Sequence, residues 1–168
     1  LQVVDSIFPP AVELARFQRT ITGPKPIRLD GPSSRSALVR AFIGAVETRD
    51  SATIRRLLIS RAEFGYLYFP SSEYTKPPYV QKPGLVWFRM TATSEKGIGR
   101  VLARDGGSPL GLTGHRCPVP PLVQGKNRIW KDCLVLVRRA GKPVERRLFG
   151  SIIERGGRFK FLTYASEY

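Results

Sequence analysis

The clearest periodic signal runs through residues 33–58. Ala37, Leu38, Ala41, Phe42, Ala45 and Val46 recur in pairs every four residues along one helical face, behind Ser33 or Ser34 as the cap. Asp50 then caps a second, shorter helix in which Ile54, Leu57 and Leu58 share one side while Arg55 and Arg56 face away. Two helices with almost no loop between them make an αα-hairpin. Upstream, residues 9–21 place Val12, Leu14, Ala15 and Phe17 after a proline pair suited to a helix start, and residues 22–32, rich in Gly and Pro, read as a linker. Downstream, residues 83–104 return to a helical pattern, with Leu85, Phe88, Ile98, Val101 and Leu102 compatible with one face and Gly106-Gly107 as the stop. Gly97 and Gly99 weaken that helix, and a bend is expected there.

After Gly107 the pattern changes. Residues 110–116 predict a short strand, and Leu134–Arg139 a mostly apolar one that ends at Ala140-Gly141-Lys142. Residues 144–154 and 158–164 flank Gly156-Gly157, a dipeptide that tolerates the positive φ angles of a tight hairpin. The stretch between Cys117 and Cys133 contains Pro118, Pro120, Pro121 and Gly125 and reads as loop. Helices first and an antiparallel meander afterwards predict an α+β fold. The expected organisation is an N-terminal helix and linker over 1–32 and a single α+β domain over 33–168. No internal repeat or low-complexity segment stands out.

The charge adds a surface property to this outline. With 28 Lys and Arg against 13 Asp and Glu, the 168-residue chain carries +15, which raises the prior for a polyanion as partner. The basic residues are spread along the whole chain, however, and their longest runs are the pairs Arg55-Arg56, Arg138-Arg139 and Arg146-Arg147. That distribution describes a solvated cationic surface more than an aimed nucleic-acid site. No apolar run approaches the ~20 residues of a membrane span. Cys117 and Cys133 lie where a disulfide would close the loop-rich segment between them and contribute about 3 kcal/mol in an oxidising compartment. Together with a first residue that is not Met, the pair points to an exported chain, periplasmic or membrane-anchored at a removed N-terminus; two free thiols would suit a cytoplasmic one. A zinc site is not expected, because His115 is the only histidine and the cysteines are not a CxxC pair.

The chemistry-bearing residues are few. No G-x-S-x-G elbow exists, Gly106–Gly111 lacks the Lys and Ser/Thr of a phosphate loop, and Gly97-Ile98-Gly99 lacks the third glycine of a dinucleotide fingerprint, so no cofactor is expected. Glu63 is the candidate acid or base, since burial at the start of an aromatic stretch would raise its pKa toward a useful range; the competing role is an acid paired with an arginine. Residues 60–88 hold the aromatic concentration: Phe64, Tyr66, Tyr68, Phe69, Tyr74, Tyr79, Trp87 and Phe88. Phe64, Tyr66, Tyr68, Trp87, Phe88 and Trp130 are the candidate ligand-binding residues, against the plain alternative that such rings fill a core. Tyr74, Lys76, Tyr79 and Lys82 on one loop, and Arg128, Trp130 and Lys131 on another, have the composition of single-strand binders.

Two stretches carry a resemblance. SRSALVRAFIGAVETRDSATIRRLL (Ser34–Leu58) resembles the opening helix pair of the nuclear transport factor 2-like superfamily, and RRLFGSIIERGGRFKFLTYAS (Arg146–Ser166) resembles its closing hairpin. The resemblance implies a cystatin-like cone, with a curved antiparallel sheet wrapped around N-terminal helices, and allows a homodimer. The helix expected at 83–104 departs from the usual plan of that group, which has strands there. The leading functional expectation is a non-catalytic domain that binds a small apolar or amphipathic ligand in an aromatic-lined pocket. The alternatives are a polyanion-binding module, for nucleic acid or acidic polysaccharide, and a lyase- or isomerase-type enzyme employing Glu63.

Overall fold

The computed structural model describes residues 8–164. The reading of the N-terminus as processed, and the last residues of the closing hairpin motif, Ala165 and Ser166, lie outside the described residues.

Among the described residues, five α-helices precede the strands. Helix α1 (Pro10–Arg19) begins on a proline, which suits the first turn because the missing N–H has no intrahelical acceptor there. Helix α2 (Arg35–Glu47) is capped by Ser34, whose hydroxyl accepts from the Ala37 N–H at 3.0 Å, and it buries Leu38, Val39, Phe42, Ile43, Ala45 and Val46. Helix α3 (Ser51–Arg56) starts on Asp50, as its spacing predicts. Helix α4 (Arg61–Glu63) opens with a reciprocal Ser60–Glu63 capping box and widens into a π-helical turn over Phe64–Tyr68. Helix α5 runs unbroken from Pro83 to Asp105. The expected bend is not what its glycines serve: a Cβ on Gly97 would collide with the Tyr164 backbone carbonyl, so this residue lets Tyr164 pack against the helix, whereas Gly99 faces open space.

The strands are β1 (Gly114–Arg116), β2 (Leu122–Gln124), β3 (Asn127–Trp130), β4 (Leu134–Arg139), β5 (Lys142–Arg146), β6 (Ile152–Arg155) and β7 (Arg158–Phe161). They form two antiparallel sheets, in the orders β1-β4-β5 and β2-β3-β6-β7. The α+β class holds, with helices packed against the sheet. Three details differ from the sequence pattern. The strand expected over 144–154 breaks at 147–151, placing β5 and β6 in different sheets while Leu148 and Phe149 turn into the core. The strand expected over 110–116 is confined to β1. The segment read as loop between the cysteines contains the β2–β3 hairpin, which turns at Gly125 with φ of +59°. At Gly156 and Gly157, φ values of +59° and +75° bear out the expected tight turn between β6 and β7.

The four-stranded sheet lies between two apolar clusters. Because side chains alternate across a strand, Ile152 and Phe161 join Phe42, Val46, Phe149 and Tyr164 on one face, while Ile153 and Leu162 join Phe17, Leu29, Phe64 and Phe69 on the other. The outer edge of β7 is covered by chain rather than left open. Phe161 donates to the Leu57 carbonyl, Ile59 donates to the Phe161 carbonyl, and Phe159 donates to the Pro32 carbonyl.

Candidate functional site

Glu63 is buried and bonded on every side. Its Oε1 accepts from the Asp30 N–H at 2.7 Å, and its Oε2 accepts from the Ser60 N–H at 2.7 Å and from Lys160 Nζ at 3.0 Å. Its side chain is 3% exposed, that of Lys160 6%, and Glu63 borders none of the cavities described below. Of the two roles the sequence leaves open for Glu63, the structure shows the pairing: both carboxylate oxygens are occupied by Lys160 and two backbone N–H groups. The partner is Lys160, not one of the abundant arginines. A second buried pair, Arg146 to Asp105 in a two-pronged contact at 2.6 and 2.9 Å, ties β5 to the end of α5.

The six candidate aromatics do not converge on one cavity. Phe64 sits at the centre of the second cluster, its ring centroid 5.5 Å from Phe17, 5.8 Å from Tyr68, 5.6 Å from Phe69 and 5.1 Å from Trp87. These rings fill the space a ligand would need. Burial pushes the Tyr68 phenol well above its ordinary pKa. Tyr66 donates from its hydroxyl to the Gln18 carbonyl at 3.4 Å, toward α1. Tyr68 borders a cavity of about 140 Å³, and Trp87 borders one of about 50 Å³. Met90 and Leu162 are common to both walls. Phe88 is 68% exposed on the outer face of α5. Trp130 packs with the first cluster, across the sheet from Phe64.

Around Trp130 the molecule opens. A cleft of about 450 Å³ is lined by the Ser33–Ser36 segment, His115, Arg128, Trp130, Glu154 and Phe159. A second hollow of about 240 Å³, bordered by Val39, Arg40, Leu112 and Thr113, shares Ser36 and His115 with it. Small-ligand sites occupy about 300–1,000 Å³, which favours this cleft over the cavities beside Tyr68 and Trp87. The floor is aromatic: the Trp130 and Phe159 ring centroids stand 6.0 Å apart, and the Arg35 guanidinium lies 4.8 Å from the Trp130 centroid.

The cleft is cationic for a local reason. Arg35 is the first residue of α2, whose opening turn holds no acid, so a positive side chain stands on the positive end of the helix dipole. Among the described residues neither Arg35 nor Arg40 has a carboxylate partner, and Arg128 reaches Glu154 only at 4.0 Å. Burial, and then the charge of Arg35, hold the His115 imidazole below its ordinary pKa of 6.5. Its Nε2 is buried without a hydrogen-bond partner. Such a group of donors and unneutralised charge is complementary to an anion.

Cys117 and Cys133 are joined in a disulfide. They directly follow and precede the paired residues Arg116 and Leu134, so the bond closes the end of the β1–β4 ladder and the segment bearing the β2–β3 hairpin. Trp130 lies inside that closed segment. Sequence reasoning reached Arg128 and Trp130 by composition but missed Arg35, Glu154 and Phe159 as their neighbours. The available signal was Arg35 itself, a cation in the first turn of a helix, where acids are preferred. Among the described residues no His, Cys, Asp and Glu cluster is placed to hold a metal ion, and no helix is long and apolar enough to cross a membrane.

No family model, curated protein or solved structure matches this chain.

Proposed function

We propose that the protein is a binding domain for a small amphipathic ligand that carries an anionic group, received in the Trp130 cleft. The flat apolar part lies along Trp130 and Phe159, and the anionic group meets Arg35, Arg128 and the opening turn of α2. The observation that carries this reading is Arg35, poised over Trp130 and without a carboxylate partner among the described residues, in a cleft large enough for a ligand. The same reading treats the chain as a binder and not a catalyst, since Glu63 is engaged by Lys160 and two backbone N–H groups. A distant kinship with the nuclear transport factor 2-like superfamily, and export to an oxidising compartment where the Cys117–Cys133 bond is kept, belong to the proposal.

Benzenesulfonate is the probe, because it joins a flat ring to a charge that does not titrate near neutrality. Replacing Trp87 by Phe leaves Trp130 as the sole tryptophan, whose emission then reports the cleft. Benzenesulfonate should change that emission saturably, with benzyl alcohol and inorganic sulfate each binding at least about tenfold more weakly, as expected when two contacts act on one ligand. Arg35→Ala should abolish the response. An unchanged titration in Arg35→Ala overturns the assignment. Heparin binding with a steep salt slope, together with no benzenesulfonate response, would replace it by the polyanion-binding reading.

A further inference from the structure

A different part of the molecule carries four exposed apolar side chains within ten residues. Tyr79 is 57% exposed, Val80 46%, Leu85 51% and Phe88 68%. Leu85 and Phe88 are one turn apart on α5, so they stand side by side. Tyr79 and Val80 come from the loop that leads into the helix. That loop is held against α5: Arg89 donates to the Gln81 side chain, Gln81 donates to the Tyr74 carbonyl, and Tyr79 donates to the Lys76 carbonyl. Pro77, Pro78 and Pro83 stiffen it further. Lys76, Lys82 and Arg89 are exposed in the same stretch, and residues 74–94 contain no Asp or Glu. Single exposed apolar residues are ordinary; four on one strapped loop and helix start, with three exposed cations in the same stretch, are not.

We infer that this face docks on the surface of an anionic phospholipid bilayer. Leu85, Phe88, Val80 and Tyr79 enter the boundary between headgroups and acyl chains, while Lys76, Lys82 and Arg89 remain at the phosphates, as interfacial helices and snorkelling lysines do. Two other occupants fit less well. A second copy of the chain would set the same cations against one another, on a molecule already carrying +15. A single-stranded nucleic acid would stack on Tyr79 and Phe88, but Val80 and Leu85 offer its bases no π-face. The docking is lateral, since α5 is not apolar enough to span.

The test is co-sedimentation of the full chain with phosphatidylcholine vesicles, with and without phosphatidylglycerol. Because the net charge alone attracts the protein to anionic vesicles, the apolar variant decides. The wild type should partition onto the phosphatidylglycerol vesicles, and Leu85→Ser/Phe88→Ser should partition about tenfold more weakly with an unchanged melting temperature. Lys76→Gln and Lys82→Gln should each weaken partitioning about fivefold. Val123→Ser, which removes an equally exposed apolar group elsewhere, should leave it unchanged. The inference fails if Leu85→Ser/Phe88→Ser partitions like the wild type, if Val123→Ser loses as much, or if phosphatidylglycerol vesicles capture nothing. It also fails if the wild type is a dimer that Leu85→Ser/Phe88→Ser dissociates, because the face is then an interface between copies.

Discussion

Two regions of this protein are rich in aromatic side chains, and they use them in opposite ways. Phe64, Tyr68, Phe69, Tyr74 and Trp87 pack on one another, around a π-helical turn that directs Phe64, Leu67 and Tyr68 inward together. Around Trp130 the rings come from separate strands, arginines stand beside them, and the space above remains open. The difference lies in local self-sufficiency. Neighbouring rings satisfy each other by contact and close the space between them, whereas a ring flanked by Arg35, which has no carboxylate partner among the described residues, cannot be covered by more protein without burying that charge.

The sharpest break between the two regions should come from paired truncations. Phe64→Ala is expected to cost about 3–5 kcal/mol in chemical denaturation, because a fully buried ring leaves a cavity, while benzenesulfonate affinity of the folded fraction stays the same. Trp130→Ala should do the reverse, with a smaller stability loss and no probe binding. If the two losses are equal, Trp130 is core and the contrast collapses.

Glu63→Gln follows, at about 3 kcal/mol, since it strands the Lys160 ammonium in the interior. Adding Lys160→Met should restore much of the loss. A neutral Glu63→Gln would show that the pair is solvated and would reopen the acid–base role. Reducing the disulfide, or replacing both cysteines by serine, should remove about 3 kcal/mol, the entropy of a closed loop of this size. It should also weaken benzenesulfonate binding, because the closed segment positions Trp130; unchanged affinity would mean the hairpin holds its place without the bond.

The smallest effect is that of His115. Its folded-state pKa lies below 6.5, so as pH falls past that value the unfolded chain takes up a proton before the folded one does. The stability His115 contributes is therefore present above pH 6.5 and declines between there and its depressed folded value. His115→Gln should flatten that part of the pH–stability profile. Bound benzenesulfonate, an anion beside the imidazole, should narrow the window by raising the folded-state pKa.

Part of the fold was legible because it is written locally. Ser34 and Asp50 cap the helices they were expected to cap, since a cap needs only a side-chain oxygen and N–H groups two or three residues away. The β2–β3 hairpin was not legible. Leu122 and Val123 are both exposed, so no alternation marks the strand; it is held by the Asn127 side chain donating to the Leu67 carbonyl at 2.8 Å and by Arg155 donating to Asn127 Oδ1 at 3.1 Å. For the candidate site, Trp130 and Arg128 could be nominated by residue type. Their joining to Arg35, nearly a hundred residues earlier, could not.

What the sequence by itself determined are the features with short-range causes: the capped helices, the Gly156-Gly157 turn, the α+β order and the cysteine pair. What only the tertiary structure decided are features whose cause lies across the chain. Gly97 and Gly99 are indistinguishable along the helix, yet one receives the Tyr164 backbone and the other faces solvent. Lys160 alternates with Phe159 and Phe161 along β7, and it is buried because Glu63 meets it on a sheet covered on both faces. Periodicity reports which residues share a side of an element. Which sides then face protein, and which are left to a ligand, depends on how distant segments pack, and that is settled only when the chain closes on itself.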